Sequence, residues 1–574
     1  MKKFITLLMA ICLIVGAFCI SAFAADEPVM HVLYGSMSKD FNDFEEGWNF
    51  AMEEANRGKD VHVTLLDDWT ADDDGGFTDD TWNGAGFDND TIYFPGDVTV
   101  TLDLGGCTID RGIKANTLNG EVIFINDDAN VTIKNGTIKG GYSTNGAGGI
   151  HIEGANVKLI DLVITGNRVI NDDGTAIQHV DGGELYMKNC RIVDNDGSKK
   201  GYDIFGAVYL DGVDKVLIED CYFEGNDNVD YGAGIYAETC NDLVIKNSTF
   251  ENLHAGDRGG AIWVSGESID DVGFSRLYIY DCKFNNNSCG NYGGAIYAKS
   301  TELHVYDSEF KGNYSEWNGG AIYLNANMVH SGSVSSYFYR CTFDDNRAGE
   351  DGGAIFCACT YTMLTLAKTY GCDFINNSAG EDGGAVCTST DCIFSFCSDK
   401  ETGKAATMKN NSAGKTGGGV YQGKNSPIYL GGEIYASGNI SSLGNDDIHL
   451  EYAYSVDIVD SITSPDGSIG IYYTDAEGGQ LAEWTDENIT VNAAAFFFNI
   501  GEFDFVFDQQ YKKTMAYDGM AYYLNVVNKS SAVGSIFNDN TPATSLSLIA
   551  LVVAIASVAT NFAFFKKKTN TESK

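Results

Sequence analysis

The sequence predicts an all-β protein whose main body is a right-handed parallel β-helix with three strands per coil. A motif close to Gly-Gly-Ala-Ile-aromatic recurs ten times, and its β-branched residue falls at Ile150, Ile177, Val208, Ile235, Ile262, Ile296, Ile322, Ile355, Val386 and Val420. A unit of about 30 residues is too small to bury its own apolar face, so successive units must stack. Apolar and polar residues alternate with the period of a strand, and no long helical period competes with it.

Each unit carries three strand signals. The first is an apolar pair such as Leu277-x-Ile279, and the third is the Gly-Gly-Ala-Ile segment itself. The second reads Cys or Ser, any residue, Phe, two residues and Asn, and it begins at Cys221, Cys282, Ser308, Cys341 and Cys372. Runs this short, separated by Asn, Asp and Gly, indicate the sides of one coil, and we expect one turn per coil to take the insertions.

The asparagine that ends the second signal recurs at 167, 195, 226, 287, 313, 346, 377 and 411, and Leu253 replaces it once. Stacked carboxamides can bond to their neighbours along the axis, and Asn also tolerates left-handed turns. We interpret the row as a structural ladder; a polar binding track is the alternative.

These paired motifs resemble the repeats of the polymorphic outer membrane proteins, a family defined by Gly-Gly-Ala-Ile and Phe-x-x-Asn. They also resemble the wider group of bacterial right-handed parallel β-helix surface proteins. The likeness covers roughly residues 90–480 and implies the fold more strongly than a function. The chain departs from that family at its C-terminal end, where the long alternating segments of a membrane barrel are absent from the sequence.

Both ends of the chain have the composition of targeting segments. Residues 1–24 predict a signal peptide with cleavage after Ala22-Phe23-Ala24. Residues 546–565 are mostly apolar and precede Lys566-Lys567-Lys568, which predicts a transmembrane helix followed by a cytoplasmic tail over 566–574. We therefore expect an exported protein that is anchored at the cell surface.

A second mode of attachment is open from the same region. The pentapeptide Thr541, Pro542, Ala543, Thr544 and Ser545 resembles a sortase cell-wall sorting signal, with Thr541 where Leu is usual and Ser545 where Gly is usual. A plain membrane anchor explains the same apolar and basic features.

The remaining domains follow from local patterns. An apolar stripe from Phe41 to Ala55 predicts a helix over 38–56 that covers the open first coil. We assign 25–95 to this cap and the first coils, 96–480 to the β-helix, 481–530 to a β-rich C-terminal cap and 531–545 to a linker.

The net charge of −43 disfavours nucleic acid and anionic lipid as partners. Solubility of a long monomeric rod is one reason for it. Ca²⁺ binding in acidic turns is the alternative, with Asp72-Asp73-Asp74 and the segment from Asn226 to Asp230 as examples. No ordered calcium loop is present, so we predict no defined metal site and no other cofactor.

The cysteines Cys190, Cys221, Cys282, Cys341 and Cys372 share one repeat position, and they are predicted to face inward with the adjacent Phe or Ile. Buried thiols that act as small apolar groups are one interpretation. Axial disulfides between neighbouring coils of an exported chain are the other.

No catalytic site is predicted. The nearest candidate is Asp257-Arg258 with His254, joined by Arg168 and Arg347 if the equivalent turns converge. Because carboxylates are abundant here, chance pairing at solvated turns explains the same residues. Nucleophile elbow, zinc-helix and phosphate-loop motifs do not occur.

A row of aromatic residues is the most specific binding candidate. The residue after the β-branched one is aromatic in seven of the ten motifs, at Tyr209, Tyr236, Trp263, Tyr297, Tyr323, Phe356 and Tyr421. If the β-branched face is core, these rings lie on the outer face, where exposed rings would suit sugars or a protein. The alternative is that the turns cover them, or that they point inward.

We therefore expect a surface adhesin, that is, a rod that binds an extracellular glycan or a protein of a host or neighbouring cell. A polysaccharide lyase or glycoside hydrolase on the same scaffold is the second hypothesis. A passive structural surface protein is the third.

Overall fold

The computed structural model describes residues 27–71, 87–88, 91–113, 120–198, 203–266, 276–326, 333–359, 364–450, 455–473, 478–498, 503–513 and 518–528. Within them the chain is a parallel β-helix, as the repeats predict. Each coil between residues 130 and 450 has four strand positions rather than three, because a short strand follows the second strand signal. The strands at each position pair in parallel with their equivalents in the neighbouring coils, except that the short fourth strands form two separate sheets, with a break between Asp196–Ser198 and Val229–Tyr231.

We name the four stacks of strands by position. The Leu ladder comprises Val61–Leu65, Thr99–Asp103, Asn130–Lys139, Asn156–Thr165, Glu184–Lys188, Lys215–Glu219, Asp242–Lys246, Arg276–Tyr280, Glu302–Tyr306, Ser333–Tyr339, Leu364–Tyr370, Cys392–Cys397, Ile428–Gly432, Val456–Ile462 and Gly478–Trp484. The Phe ladder receives the second halves of the two ten-residue strands and comprises Trp69–Thr70, Thr108–Asp110, Arg191–Val193, Tyr222–Glu224, Thr249–Glu251, Lys283–Asn285, Glu309–Lys311, Thr342–Asp344, Asp373–Ile375, Ala406–Lys409 and Ile434–Ser437.

The two remaining stacks complete the coil. The edge ladder is the unpredicted one and comprises Tyr142–Ser143, Arg168–Ile170, Asp196–Ser198, Val229–Tyr231, His254–Arg258, Ser288–Cys289, Tyr314–Ser315, Arg347–Ala348, Ser378–Ala379, Ser412–Ala413, Ile440–Ser441 and the antiparallel Gly444–Asn445. The Ile ladder comprises Thr91–Phe94, Ile123–Ile125, Ile150–Glu153, Ile177–Val180, Val208–Asp211, Ile235–Glu238, Ile262–Ser265, Ile296–Lys299, Ile322–Ala326, Ile355–Cys359, Val386–Thr388, Val420–Tyr421, Ile448–Leu450, Ile469–Tyr473 and Phe496–Phe498.

The N-terminal cap contains a shorter helix than predicted. Residues Met37–Phe41 form a strand, antiparallel to Met30–Tyr34, and the helix spans Phe44–Asn56. Asp43 is the N-cap, and its carboxylate accepts the backbone N–H of Glu46 at 2.7 Å. Trp48 is fully buried over the first coils, so the helix does cover them. Near the N-terminal cap, Phe87–Asp88 also pairs antiparallel with Thr91–Phe94. At the C-terminal end, Phe503–Lys513 and Asp518–Asn528 form an antiparallel hairpin that pairs with the last Leu-ladder strand. A 3₁₀ turn spans Ala493–Ala495.

The fold class predicted from the sequence included a C-terminal transmembrane helix, and this part of the prediction is corrected. Among the residues that the structure describes, no helix is long and apolar enough to cross a membrane. The segments predicted as signal peptide (1–24), linker (531–545), transmembrane helix (546–565) and tail (566–574) lie outside those residues, as do Thr541–Ser545 and Asp72–Asp74. The described architecture is an all-β parallel β-helix with one N-terminal helix.

The Gly-Gly-Ala-Ile motif has a specific reason at each position. Gly319 has φ +68°, a conformation that residues with a Cβ rarely adopt. A Cβ on Gly320 would lie 2.2 Å from the carbonyl oxygen of Gly353 in the next coil, so the second glycine permits the close approach of coils. The Ala and the Ile are fully buried. The predicted inward face of this strand is therefore confirmed.

Identical side chains stack inside the coil. Six phenylalanines of the Phe ladder are fully buried and face to face, with ring centroids 4.5–5.0 Å apart, at Phe223, Phe250, Phe284, Phe310, Phe343 and Phe374. The five cysteines of the repeat position are buried beside them, as predicted. All thirteen cysteines from Cys107 onward are free thiols, and burial raises the pKa of Cys282 to about 12.

The asparagines form a buried amide ladder. The side-chain oxygen of Asn346 accepts the backbone N–H and the carboxamide of Asn313 at 3.1 and 2.9 Å. Its own Nδ2 donates to the carbonyl of Phe310 at 2.9 Å. The left-handed conformation that we expected of the ladder asparagine belongs instead to the residue before it, such as Asp345 at φ 57°. The ladder is fully buried, so it offers no polar track to a ligand.

The ladder ends on a carboxylic acid rather than on an amide. Asp447 accepts the backbone N–H and Nδ2 of Asn439 through one oxygen, at 2.8 and 2.7 Å. Its second oxygen is buried and has no hydrogen-bond partner among the described residues. Burial first, and the neighbouring carboxylate of Asp446 to a lesser degree, raise the pKa of Asp447 to about 6.

We predict that Asp447→Asn removes a pH-dependent loss of stability. The pKa of Asp447 is about 6 in the folded protein and about 3.9 in the unfolded chain, so the folded state binds this proton more tightly. The stability that the protonated Asp447 contributes is therefore complete below pH 4 and is lost as the pH rises through 6. Unfolding at pH 8 should therefore show the variant more stable by about 3 kcal/mol, with little difference near pH 4. Asp97→Asn, at an exposed position between two strands, is the control. A variant that is less stable at pH 8 would contradict this account.

Candidate functional site

The predicted aromatic row exists as one column on the outer side of the Ile ladder. The register places Tyr209, Tyr236, Trp263, Tyr297, Tyr323 and Phe356 directly above one another, with Tyr421 two coils further on. Consecutive ring centroids in the first six are 4.2–6.2 Å apart and the planes are nearly parallel. The same position carries Tyr93, Phe124, His151, His449 and Tyr472. The sequence pattern did not include them, because four belong to coils with incomplete motifs and His151 is not Phe, Tyr or Trp.

The exposure expected for this column is wrong for Tyr236, Trp263, Tyr297 and Phe356, which are buried, whereas Tyr209, Tyr323 and Tyr421 are half-buried. Trp263 is 6% exposed and Tyr297 only 2%, and Tyr236 and Phe356 are buried as well. Phe205, Tyr231 and Tyr292, which precede the Ile strands of their coils, pack against the rings. Because the faces contact each other and several edges are covered, the middle of the column has no free ring face for a sugar.

We predict that this column mainly stabilises the fold. Trp263→Ala should lower the free energy of unfolding by about 3–5 kcal/mol, as for other large buried aromatics. Tyr278→Ala, on the half-exposed Leu-ladder surface, should cost about 1 kcal/mol. Chemical denaturation of both variants measures the difference. Equal losses would mean that the Trp263 side chain is not packed as described.

The candidate acid–base cluster does not converge. Asp257 and Arg258 contact each other at 3.5 Å, and the guanidinium lies over the rings of Tyr292 and Tyr297. His254 instead contacts Ser288 at 2.9 Å. Arg347 occupies the same position of the edge ladder three coils later, so the two side chains are not brought together. Arg168 lies near Asp196, at 3.9 Å. Within the described part of the chain, no group of three His, Cys, Asp or Glu could hold a metal ion.

The surface that sequence reasoning missed is the outer face of the Leu ladder, which we call the Leu face. Two further aromatic columns begin there on the same strand, Arg276–Tyr280. One runs through Tyr278, His304 and Tyr337 at 4.8 and 5.0 Å. The other runs through Tyr280, Tyr306, Tyr339 and Tyr370 at 4.9–5.0 Å. All seven rings are half-buried. The signal was available as Tyr278-Ile279-Tyr280 and Tyr337-Phe338-Tyr339, tyrosines that alternate with core residues.

A groove lies where these columns begin. In the preceding coil the register places Val244 beside Tyr278 and Lys246 beside Tyr280, so among the described residues neither tyrosine stacks on a ring of that coil. A cavity of about 710 Å³ occupies the space and is lined by both tyrosines with Leu217, Val244, Lys215, Asp242, Lys246 and Arg276. It adjoins a second cavity of about 210 Å³, which shares Lys215 and Leu217 and reaches Tyr186, Glu184 and Lys158. We call the whole the Leu-face groove.

Charged pairs across neighbouring coils border the groove. Lys215 contacts Glu184 at 3.7 Å, Lys246 contacts Glu219 at 3.6 Å and Arg276 contacts Glu302 at 3.4 Å. Tyr186 donates its hydroxyl to Glu219 at 3.0 Å. The groove thus combines aliphatic side chains, two half-buried tyrosine rings and a rim of paired donors and acceptors, which are kinds of group that ligand sites also combine.

One comparison with known proteins bears on this architecture. A family model described as "Right handed beta helix region" matches residues 206–430, which include most of the Leu-face groove. This part of the chain is a right-handed parallel β-helix. Neither a curated protein nor a solved structure matches the chain.

Proposed function

We propose that this protein is a non-catalytic binding rod that takes a carbohydrate ligand in the Leu-face groove. The observation that carries the proposal is the unstacked side of Tyr278 and Tyr280, because it leaves aromatic faces beside charged donors and acceptors. Sugars present apolar ring faces and hydroxyl edges, which match those two kinds of group. The likeness of the repeats to those of polymorphic outer membrane proteins supports a role at a cell surface.

Binding without turnover is favoured by the state of the carboxylates. Glu184 is paired with Lys215, and its side chain is 60% exposed. A general acid in glycoside hydrolysis is instead held in a shielded, apolar setting. Burial raises the pKa of Asp173 to about 7, but this residue does not line the groove. It lies on the Ile-ladder side, where its carboxylate accepts a hydrogen bond from the backbone N–H of Phe205.

A polysaccharide hydrolase is the second candidate. Glu184, Lys215 and Asp242 occupy one row on successive coils. Two coil steps of about 4.8 Å separate the two carboxylate-bearing residues by about 10 Å, close to the upper limit of the gap in inverting enzymes. This spacing keeps hydrolysis as a distinct outcome of the test.

We predict that Tyr278→Ala with Tyr280→Ala weakens glycan binding at least tenfold, a loss of about 1.4 kcal/mol. A glycan array read with the purified protein, followed by calorimetry on its hits, measures the change. Tyr314→Ala is the matched control, because Tyr314 is an exposed tyrosine of the edge ladder. Equal binding by both variants would sink the groove proposal. Release of new reducing ends from bound glycans, abolished by Glu184→Gln, would establish the hydrolase instead.

Export and retention at the surface complete the proposal, and they rest on residues 1–24 and on Thr541–Ser545. We expect sorting to cut after Thr544 and join the chain to the cell wall. Mass spectrometry of wall-associated protein should then find a C-terminal peptide that ends at Thr544 and carries a wall fragment. Recovery of intact peptides that reach Lys574 would contradict sorting.

A further inference from the structure

We infer that the ligand is a neutral, extended glycan that runs parallel to the coil axis, from the Leu-face groove onto the hydroxyls of Tyr280, Tyr306, Tyr339 and Tyr370. This inference rests on the proposed function and names the substrate class and the length of the site. We call the four tyrosines the hydroxyl row.

The hydroxyl row offers ring edges to solvent rather than ring faces. The rings stack 4.9–5.0 Å apart, so each face inside the row is covered by its neighbour. Within the described parts of the chain, none of the four hydroxyls is buried without a partner. Burial raises the pKa of Tyr306, and that of Tyr370 to about 12, so the hydroxyls stay protonated and can both donate and accept.

The spacing of the row suits a polymer rather than a single sugar. The tyrosines repeat once per coil, and an extended chain of pyranose units repeats over a similar distance. A glycan laid along the axis would therefore meet one hydroxyl per unit without losing register. The row continues directly from the groove, because Tyr280 belongs to both.

The charges along this surface favour a neutral chain. The outward positions of the Leu face between Lys158 and Tyr370 carry six bases and four acids, in contrast to the net charge of −43 for the whole chain; they are Lys158, Lys188, Lys215, Lys246, Arg276, Lys368, Glu184, Glu219, Asp242 and Glu302. Three of the bases are paired with three of the acids. A carboxylated or sulfated sugar would meet a glutamate beside each paired base, whereas sugar hydroxyls can bond to both members of a pair.

The length of the site follows from the register. Six coil steps lead from Tyr186 to Lys368 through Leu217, Val244, Tyr278, His304 and Tyr337. At about 4.8 Å per coil, the track is about 29 Å long. We therefore expect affinity to rise with chain length up to about six sugar units and then to level off.

Calorimetry of the full chain with linear oligosaccharides of two to eight units tests this inference. Neutral gluco-, manno-, galacto- and xylo-oligomers and their uronate counterparts form the panel. The triple variant Tyr306→Phe, Tyr339→Phe and Tyr370→Phe keeps the stack and removes the hydroxyls. It should lose at least tenfold in affinity for a hexamer and little for a dimer. Tyr323→Phe, in the column on the Ile ladder, is the control.

The outcomes separate this inference from the proposed function. A length-dependent gain that the triple variant abolishes supports the track. Affinity that is constant from dimer to octamer would overturn the track and leave the groove in place. Preference for the uronate series, weakened by salt, would overturn the neutral substrate class. If no oligosaccharide of the panel binds, both the track and the proposed carbohydrate function fail.

Discussion

The register between neighbouring coils is the constraint on which the rest of the structure depends. Parallel pairing fixes the distance between equivalent residues, so each side chain has its counterpart directly above and below. Gly320 is glycine because a Cβ there would strike the carbonyl of Gly353. The phenylalanine stack and the amide ladder of Asn313, Asn346 and Asn377 satisfy the same spacing with apolar faces and with hydrogen bonds. Stability is therefore shared between neighbouring coils and is not held at one centre.

The same register determines which surfaces can bind. A column of aromatic rings uses its own faces for stacking, so an uninterrupted column such as Tyr236, Trp263 and Tyr297 offers little to a ligand. A ring face becomes available only where a column begins, beside a smaller or aliphatic residue. Val244 before Tyr278 is such a place, and the groove is the consequence. The groove lies where two successive coils carry the aliphatic residues Leu217 and Val244 at this position instead of an aromatic ring.

The repeats predict the fold well because the pattern is local and each copy has the same environment. Thus the facing of Ile296 and the burial of Cys341 follow from alternation alone. The covering of this aromatic column could not be predicted in this way, because Tyr231 and Tyr292, which pack against the column that contains Trp263, lie outside the repeated motif. The edge ladder was not predicted, because several of its strands, such as Ser288–Cys289, have only two residues and show no periodicity. The groove was not predicted, because its tyrosines occupy outward positions, and the alternating pattern indicates only that such positions face solvent.

The acidic composition is consistent with a site of balanced charge. Ionic pairs such as Lys215 with Glu184 use the coil register, since each places a base one rung from an acid. Exposed pairs of this kind contribute about 0–1 kcal/mol each, so they matter more for the field around the groove than for stability. Elsewhere the excess of acid repels further copies of the chain and other polyanions. The proposed neutral glycan would be neither attracted nor repelled by this distribution at long range, so its selection would depend on contacts with Tyr278, Tyr280 and their neighbours.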